Sequence, residues 1–414
     1  LLLIIIAENL STAEYGTKMI FNLIRFLSII LLTTFTTHYL LFFSWCRFFE
    51  IQAFAARRYL FLIIFFLSIT FILSSIFIHM SNNPFTRIYY LASGIWMGLM
   101  SFLLFATAIV WIVKGGLWFL PHDLPVKSII QGLSCFLYGL AIVYTGFCHY
   151  QFYKINIKPL SVPIQNLPQQ WQGKKIIHLS DLHLGGTKNL KFLKKVVTLT
   201  NEQNADLILI TGDLFDGATS FQKRYVPDLN NLKAKHGTFF TSGNHEIYSG
   251  VEKSRKVIGD SKVILLDNKA IVIKGLQILG ISYPELKNTS SFDFNDPNVF
   301  TKNLPTILLY HTPTRIKTNG ENHAVVQSSD YLAPDTTFLG TINQNISLQL
   351  SGHTHAGQFF PFTWVANKVF KGFHYGLHRI DDFYINISSG TGSWGPPLRS
   401  GYLSEIVVIT LVKA

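Results

Sequence analysis

Gly352-His353-Thr354-His355 is the stretch on which the reading of this chain turns. Two histidines spaced i, i+2 behind a strand can each address one of two neighbouring metal ions. Alone the string is weak, because two histidines fall that close by chance. Here it has upstream partners of the same chemistry in a fixed order. Asp181-Leu182-His183 follows the apolar run 175–180, and Gly212-Asp213-Leu214-Phe215-Asp216 follows 207–211. Gly243-Asn244-His245-Glu246 follows 238–242, and His311 follows 306–310. Each motif is rich in Asp, Asn or His and closes a strand-like run. The pattern predicts a hydrolase that works with two metals.

The chain has 414 residues, enough for two or three domains. Its 49% hydrophobic and 14% charged composition averages two unlike halves. Residues 1–150 hold 8 Lys/Arg and 4 Asp/Glu, whereas residues 151–414 hold 27 and 19. The halves therefore carry +4 and +8 of the net +12. Four uncharged runs in the first half, about 26–45, 60–78, 88–113 and 128–147, are long enough to cross a bilayer. Backbone in lipid must satisfy its own hydrogen bonds, so these runs are expected to be helices. Buried helices of a soluble protein are the weaker reading, since four such runs stand in series with short connections.

Arg25 ahead of the first run fits the start of a signal peptide, but Phe43-Ser44-Trp45-Cys46 lacks the small residues of a cleavage site. The first span is expected to be retained. Met19 is an alternative start, with residues 1–18 an extension. Basic residues flank both ends of the spans nearly equally, and dropping residues 1–18 tilts the balance toward an outward-facing second half. The membrane face stays open. His38 within the spans is read as a packed group, and Gly132, Gly139 and Gly146 as a face for close helix contact. Oligomeric state is not readable. Cys46, Cys135 and Cys148 all lie in the first half, so the second half has no disulfide.

Residues 151–173 read as a linker, because Pro159, Pro163 and Pro168 discourage regular structure. Beyond it, strand-like runs alternate with helical ones at 190–200, 221–233 and 251–258. Further strands are expected at 263–266, 270–274, 276–281, 384–389 and 406–412. Ligand-type residues on the loops between strands and helices predict a layered α/β domain over 174–414.

Phosphoester hydrolysis at neutral pH needs a strong nucleophile and a way to neutralise phosphoryl charge. Two divalent ions about 3.5–4 Å apart supply both. The motifs DLH, GDLFD, GNHE, the isolated His311 and GHTH resemble those of the calcineurin-like metallophosphoesterase superfamily. GHTHAGQ and the late Ser388-Ser389-Gly390-Thr391-Gly392 are similar to its membrane-associated bacterial branch.

The resemblance implies a four-layer α/β/β/α sandwich preceded by an all-α transmembrane region of four helices, in a bacterial cell (inner) membrane. It implies that Asp181, His183 and His355 hold one ion, that Asn244, His311 and His353 hold the other, and that Asp213 bridges them. His245 would be the general acid toward the leaving group, Asp216 would orient a histidine, and a bridging hydroxide would attack phosphorus in line. Arg399 is a candidate substrate contact. The metal is Mn, Fe or Zn, since Asp, Asn and His donors suit all three.

Other groups take simpler readings. His178 is read as structural and Glu246 as a local hydrogen-bonding residue. His323, His374 and His378 lie outside the motifs. No nucleic-acid partner is expected, and the basic second half suits anionic lipid or a phosphate-bearing substrate. The stretch Phe359-Phe360-Pro361-Phe362-Thr363-Trp364-Val365 behind the ligands either packs in the core or meets an acyl chain or the bilayer. The expected activity is hydrolysis of a phosphodiester or pyrophosphate, with a lipid-linked phosphoester as one substrate class. A broad phosphomonoesterase is the alternative, as is a non-enzymatic membrane sensor with a metal-binding domain.

Overall fold

The runs 207–211 and 306–310 are apolar at every other position and more, as strands covered on both faces must be. In the computed structural model, described here for residues 13–120, 123–216, 219–283, 293–297, 299–316, 333–342 and 344–414, both are strands buried along their whole length. His323 lies outside the described residues. The chain divides into two compact units, one of residues up to Gln151 with Gly395–Leu398, the other of Phe152–Trp394 with Arg399–Ala414.

Among the described residues, the first unit holds four helices long and apolar enough to cross a membrane. They are α1 (Ala13–Phe48), α2 (Phe54–Met80), α3 (Pro84–Leu117) and α4 (Val126–Gln151). Asn83 caps α3, accepting from the Thr86 amide at 3.0 Å. Polar side chains on these helices pair with one another. The Trp96 indole donates to His38 Nε2 at 3.0 Å, Trp111 donates to Ser44 at 2.8 Å, and Thr107 meets Tyr138 at 2.9 Å. Since the indole can only donate, His38 Nδ1 carries the proton and donates to Thr34 O. His38 is thus the packed group expected. The glycine expectation is different: a Cβ at Gly132, Gly139 or Gly146 would meet nothing within 4 Å, so no described helix packs closely there.

Among the described residues, the second unit is built on two six-stranded sheets. The first contains β1 (Ile155–Ile164), β2 (Lys175–Leu179), β3 (Leu207–Thr211), β4 (Thr238–Thr241), β5 (Ile264–Leu265) and β12 (Ser404–Lys413), in the order β1-β12-β2-β3-β4-β5. The second contains β6 (Lys269–Ile273), β7 (Leu276–Ile281), β8 (Thr306–Tyr310), β9 (Leu348–Ser351), β10 (Gly376–Ile380) and β11 (Phe383–Ile387), in the order β10-β11-β9-β8-β7-β6. β2 to β5 are parallel, as are β7, β8, β9 and β11.

Alternation along each strand builds the layers. Leu207 and Leu209 of β3 face Ile307, Leu309, Leu348 and Leu350 between the sheets. Ile208 and Ile210 face outward and are covered by Leu193 and Val196 of α5 (Leu190–Asn201) and Ile258 of α8 (Val251–Gly259). Ile385, Ile387 and Leu308 turn to the far side, under Phe294, Phe300 and Phe338. Buried His178 joins the two sheets. Its Nε2–H donates to Thr211 Oγ1 at 2.8 Å, and its Nδ1 accepts from Asn386 of β11 at 3.1 Å.

One expectation changes here. Residues 155–164, read as linker, are the edge strand β1, paired in parallel with β12. Pro159 and Pro163 have the same parity, so their missing N–H groups lie on one side. An edge strand has one side without a ladder.

Candidate active site

All the sequence-selected ligand residues, and the general-acid candidate His245, lie just beyond the C-terminal ends of parallel strands: Asp181 and His183 after β2, Asp213 after β3, Asn244 and His245 after β4, His311 after β8, and His353 and His355 after β9. Adjacent parallel strands end on one edge of their sheet, so the fold brings these loops together. The turns are sharp. Asp181, His183, Asp213, His353 and His355 all have φ between 47° and 69°, a region costly for residues with a Cβ. Glycines make room beside them. A Cβ on Gly352 would collide with the Asp181 carboxylate, and one on Gly243 with that of Asp213. Gly352→Ala is therefore expected to reduce metal content and activity by at least about tenfold, as loss of ligand positioning does. Metal analysis of the purified variant checks it.

The donor atoms form two groups. In one, Asp181, His183 and His355 offer ligand atoms within 4.8 Å of one another. His183 Nε2 and His355 Nε2 are 3.1 Å apart, and Asp181 Oδ1 is 3.4 Å from His355 Nε2. In the other, Asn244 Oδ1 lies 3.0 Å from both His311 Nε2 and His353 Nδ1. Asp213 Oδ2 stands between them, 3.7 Å from His183 Nε2 and 3.1 Å from His311 Nε2. His311 Nδ1–H donates to Thr211 O at 2.8 Å, which turns Nε2 toward Asp213 and Asn244. Burial opposes charge on this ring, but Asp213 outweighs it and holds its pKa up at about 10, so the ring is protonated without metal and would give up its Nε2 proton to ligate.

Burial sets the charges. It pushes His183 and His353 down to about 3 and His355 well below its ordinary value, so these rings are neutral and able to ligate. Burial raises Asp181 to about 6, despite the pull of His311. Burial also works against ionised Asp213, but His311 and His245 outweigh it and hold Asp213 well below the usual carboxylate range. Converging nitrogen and oxygen lone pairs, with one firmly ionised carboxylate among them, fit a pair of divalent cations of the Mn, Fe or Zn type.

His245 stands apart from Asn244, His311 and His353, but with His183 and Asp216 it makes a further cluster whose ligand atoms lie within 4.8 Å of one another. Its Nδ1 is 3.4 Å from Asp216 Oδ1, its amide donates to Asp213 Oδ1 at 2.9 Å, and its ring meets His183 edge-on at 4.6 Å. Burial opposes charge on this ring, yet Asp213 and then Asp216 outweigh it and hold its pKa up at about 9.

Arg399 is placed otherwise than expected. It is fully buried, and its guanidinium donates to the carbonyls of Ser389, Gly392 and Tyr402. It ties down the glycine-rich loop behind Asp181 and His355 instead of facing substrate. His374 and His378 form no metal pair. His374 Nδ1 meets Gly372 O, and His378 lies on strand β10 with Nε2 on Tyr375 O.

Glu246 has a larger part than the sequence suggested. Fully buried, it accepts from the amides of Gly243 (2.8 Å), Asp213 and Leu214 (2.9 Å each) and Phe215 (3.2 Å). It thereby locks two ligand loops together. Glu246→Gln would aim an amide donor at these N–H groups. A stability loss of about 1–3 kcal/mol is expected by denaturant melting, together with weaker Mn²⁺ retention. Trp394 was not singled out either. Its half-exposed indole stands 5.8 Å from His245, ring to ring. A single tryptophan in a glycine-rich run carries no signal that would have found it.

Residues 174–357 match the family model of the calcineurin-like phosphoesterases. A Helicobacter pylori J99 protein named an uncharacterized metallophosphoesterase is 32% identical over 291 residues, covering 68% of this chain and 72% of that one. A Campylobacter jejuni protein of the same description is 31% identical, with 63% of its length covered. A Danio rerio transmembrane protein with metallophosphoesterase domain is 31% identical over 63% of this chain and 58% of its own. Among solved structures, the protein TT1561 of Thermus thermophilus is similar at 13% identity and a TM-score of 0.32, over 53% of this chain and 90% of that one.

Proposed function

The chain belongs to the calcineurin-like metallophosphoesterase family, and from that premise we propose that it hydrolyses a phosphodiester or pyrophosphate, with a lipid-linked phosphoester as the natural substrate class. It is a metal-dependent phosphoester hydrolase associated with a membrane. We infer that all four apolar helices cross a bacterial cell membrane. The observation that carries the reaction is the placement of His245 at the edge of the donor cluster, with its amide on Asp213 and its ring against Asp216.

In this reading Asp181, His183 and His355 would hold one ion and Asn244, His311 and His353 the other, with Asp213 placed to serve both. Two divalent ions, when bound, acidify a water and draw charge from the phosphoryl oxygens. The chain does the rest. Thr211 fixes the His311 tautomer, and Glu246 and Arg399 hold the ligand loops. His245, kept protonated, gives its proton to the departing oxygen. Asp216 positions that ring, so Asp216→Asn is expected to lower kcat about 10–100-fold while leaving metal content intact. Kinetics beside metal analysis check it.

The test of the function uses full-length protein in detergent, stripped with chelator and reloaded with Mn²⁺. It compares bis(p-nitrophenyl) phosphate, p-nitrophenyl phosphate and a lipid-linked pyrophosphate. Mn²⁺-dependent turnover of the lipid pyrophosphate well above the others is expected. Preference for p-nitrophenyl phosphate would replace this reading with a phosphomonoesterase. Two retained metals without turnover of any substrate would favour a sensor.

A further inference from the structure

Large apolar side chains exposed on the second unit are few among the described residues: Tyr153, Ile264, Val272, Trp394, and four within six positions, Phe360, Phe362, Trp364 and Val365. The last three lie on α10 (Phe362–Val369), a helix with no buried residue. At 3.6 residues per turn, Phe362, Val365 and Val369 share one side and Trp364 and Lys368 the adjoining arc. Lys371 follows, also exposed. Core packing, one of the two sequence readings for 359–365, holds for Phe359 alone in that stretch.

The helix is firmly joined to the metal-site loop. Gln358, three residues after His355, donates to Trp394 O at 2.7 Å, and its own carbonyl accepts from the Ser400 amide at 2.8 Å. The Phe360 amide donates to Ser400 Oγ at 3.2 Å. An exposed arc of aromatic and aliphatic groups, with lysines long enough to reach the headgroups, is what a helix lying in a bilayer interface carries. The same chain supplies that bilayer. Only Phe152, Tyr153 and Lys154 separate α4 from β1, so the second unit is tethered to any membrane that α4 crosses. The lysines complement anionic headgroups.

We propose that α10 docks on the membrane surface, with Phe362, Trp364 and Val365 in the headgroup–acyl boundary and Lys368 and Lys371 on lipid phosphates. The adjoining metal site then receives a phosphoester presented by that leaflet. This last clause rests on the phosphoesterase reading, whereas the docking does not.

The test places full-length protein in nanodiscs of phosphatidylcholine and phosphatidylglycerol, with and without acyl-brominated lipid. Tryptophan fluorescence of the wild type is compared with that of Trp364→Phe, so the difference isolates one indole out of seven. Strong bromine quenching of the Trp364 component is expected. An unquenched component, as a second protein copy over α10 would give, overturns the docking. For presentation, the triple variant Phe362→Ser, Trp364→Ser, Val365→Ser is expected to raise KM for a nanodisc-borne lipid pyrophosphate by about tenfold or more, relative to KM for soluble bis(p-nitrophenyl) phosphate. Equal KM changes for both would overturn it. Quenching without turnover of any phosphoester supports the docking and removes the phosphoesterase reading.

Discussion

Asp213→Asn is expected to cut Mn²⁺-dependent turnover by roughly three orders of magnitude, the scale of a few kcal/mol of lost charge stabilisation. Asp213 stands between the two donor groups, 3.1 Å from His311 and 3.7 Å from His183. Its carboxylate is the one held firmly ionised, because His311 and His245 outweigh the cost of burying it. Asparagine keeps the shape and removes the charge. Retained metal is expected to fall from about two ions to about one per chain, with circular dichroism unchanged, since Glu246 holds the loop by backbone amides. Two retained ions and wild-type turnover would sink the assignment of Asp213 as the shared ligand.

His245→Gln carries the second large effect, with an expected loss of about 10²–10⁴-fold in kcat for an alkyl phosphodiester. The loss should be much smaller for a p-nitrophenyl ester, whose leaving group needs no proton. The pH profile gives an independent reading. Burial opposes charge on His245, but Asp213 and Asp216 hold its pKa at about 9. As an acid it acts below that value, and its contribution is lost as pH rises through it. Cations bound at Asp213 would offset part of the charge that raises this ring, so wild-type kcat on the alkyl ester should decline on an alkaline limb at or below about pH 9. His245→Gln should lack this limb, and Asp216→Asn should move it to lower pH. Equal losses on both esters, with the limb retained, would remove His245 from the proton transfer.

The strands that carry the ligands were legible because both faces of each are buried, so their apolar runs are uninterrupted, as in Leu207–Thr211 and Thr306–Tyr310. β1 was not, because Pro159 and Pro163 are tolerated only through its place at the sheet edge, and an edge is a property of neighbours. The short helix α6 (Val226–Leu229), reached through a 3₁₀ turn, stands where a single longer helix was expected over 221–233. The site divided likewise. Motif residues were found by type and order, whereas Trp394 and the inward turn of Arg399 were not.

The sequence by itself determined which Asp, Asn and His residues are candidate donors and where the apolar helices run, since residue type, order and run length are local properties. Tertiary structure alone decided how the donors are used. Asp181 and His353 lie 172 positions apart, yet the His353 amide donates to the Asp181 carboxylate at 3.1 Å. The left-handed turns at the ligands persist because the sheets hold both ends of each loop. The tautomer of His311, the burial of Arg399 and the uncovered face of α10 likewise follow from what packs beside each residue, which no short stretch of sequence contains.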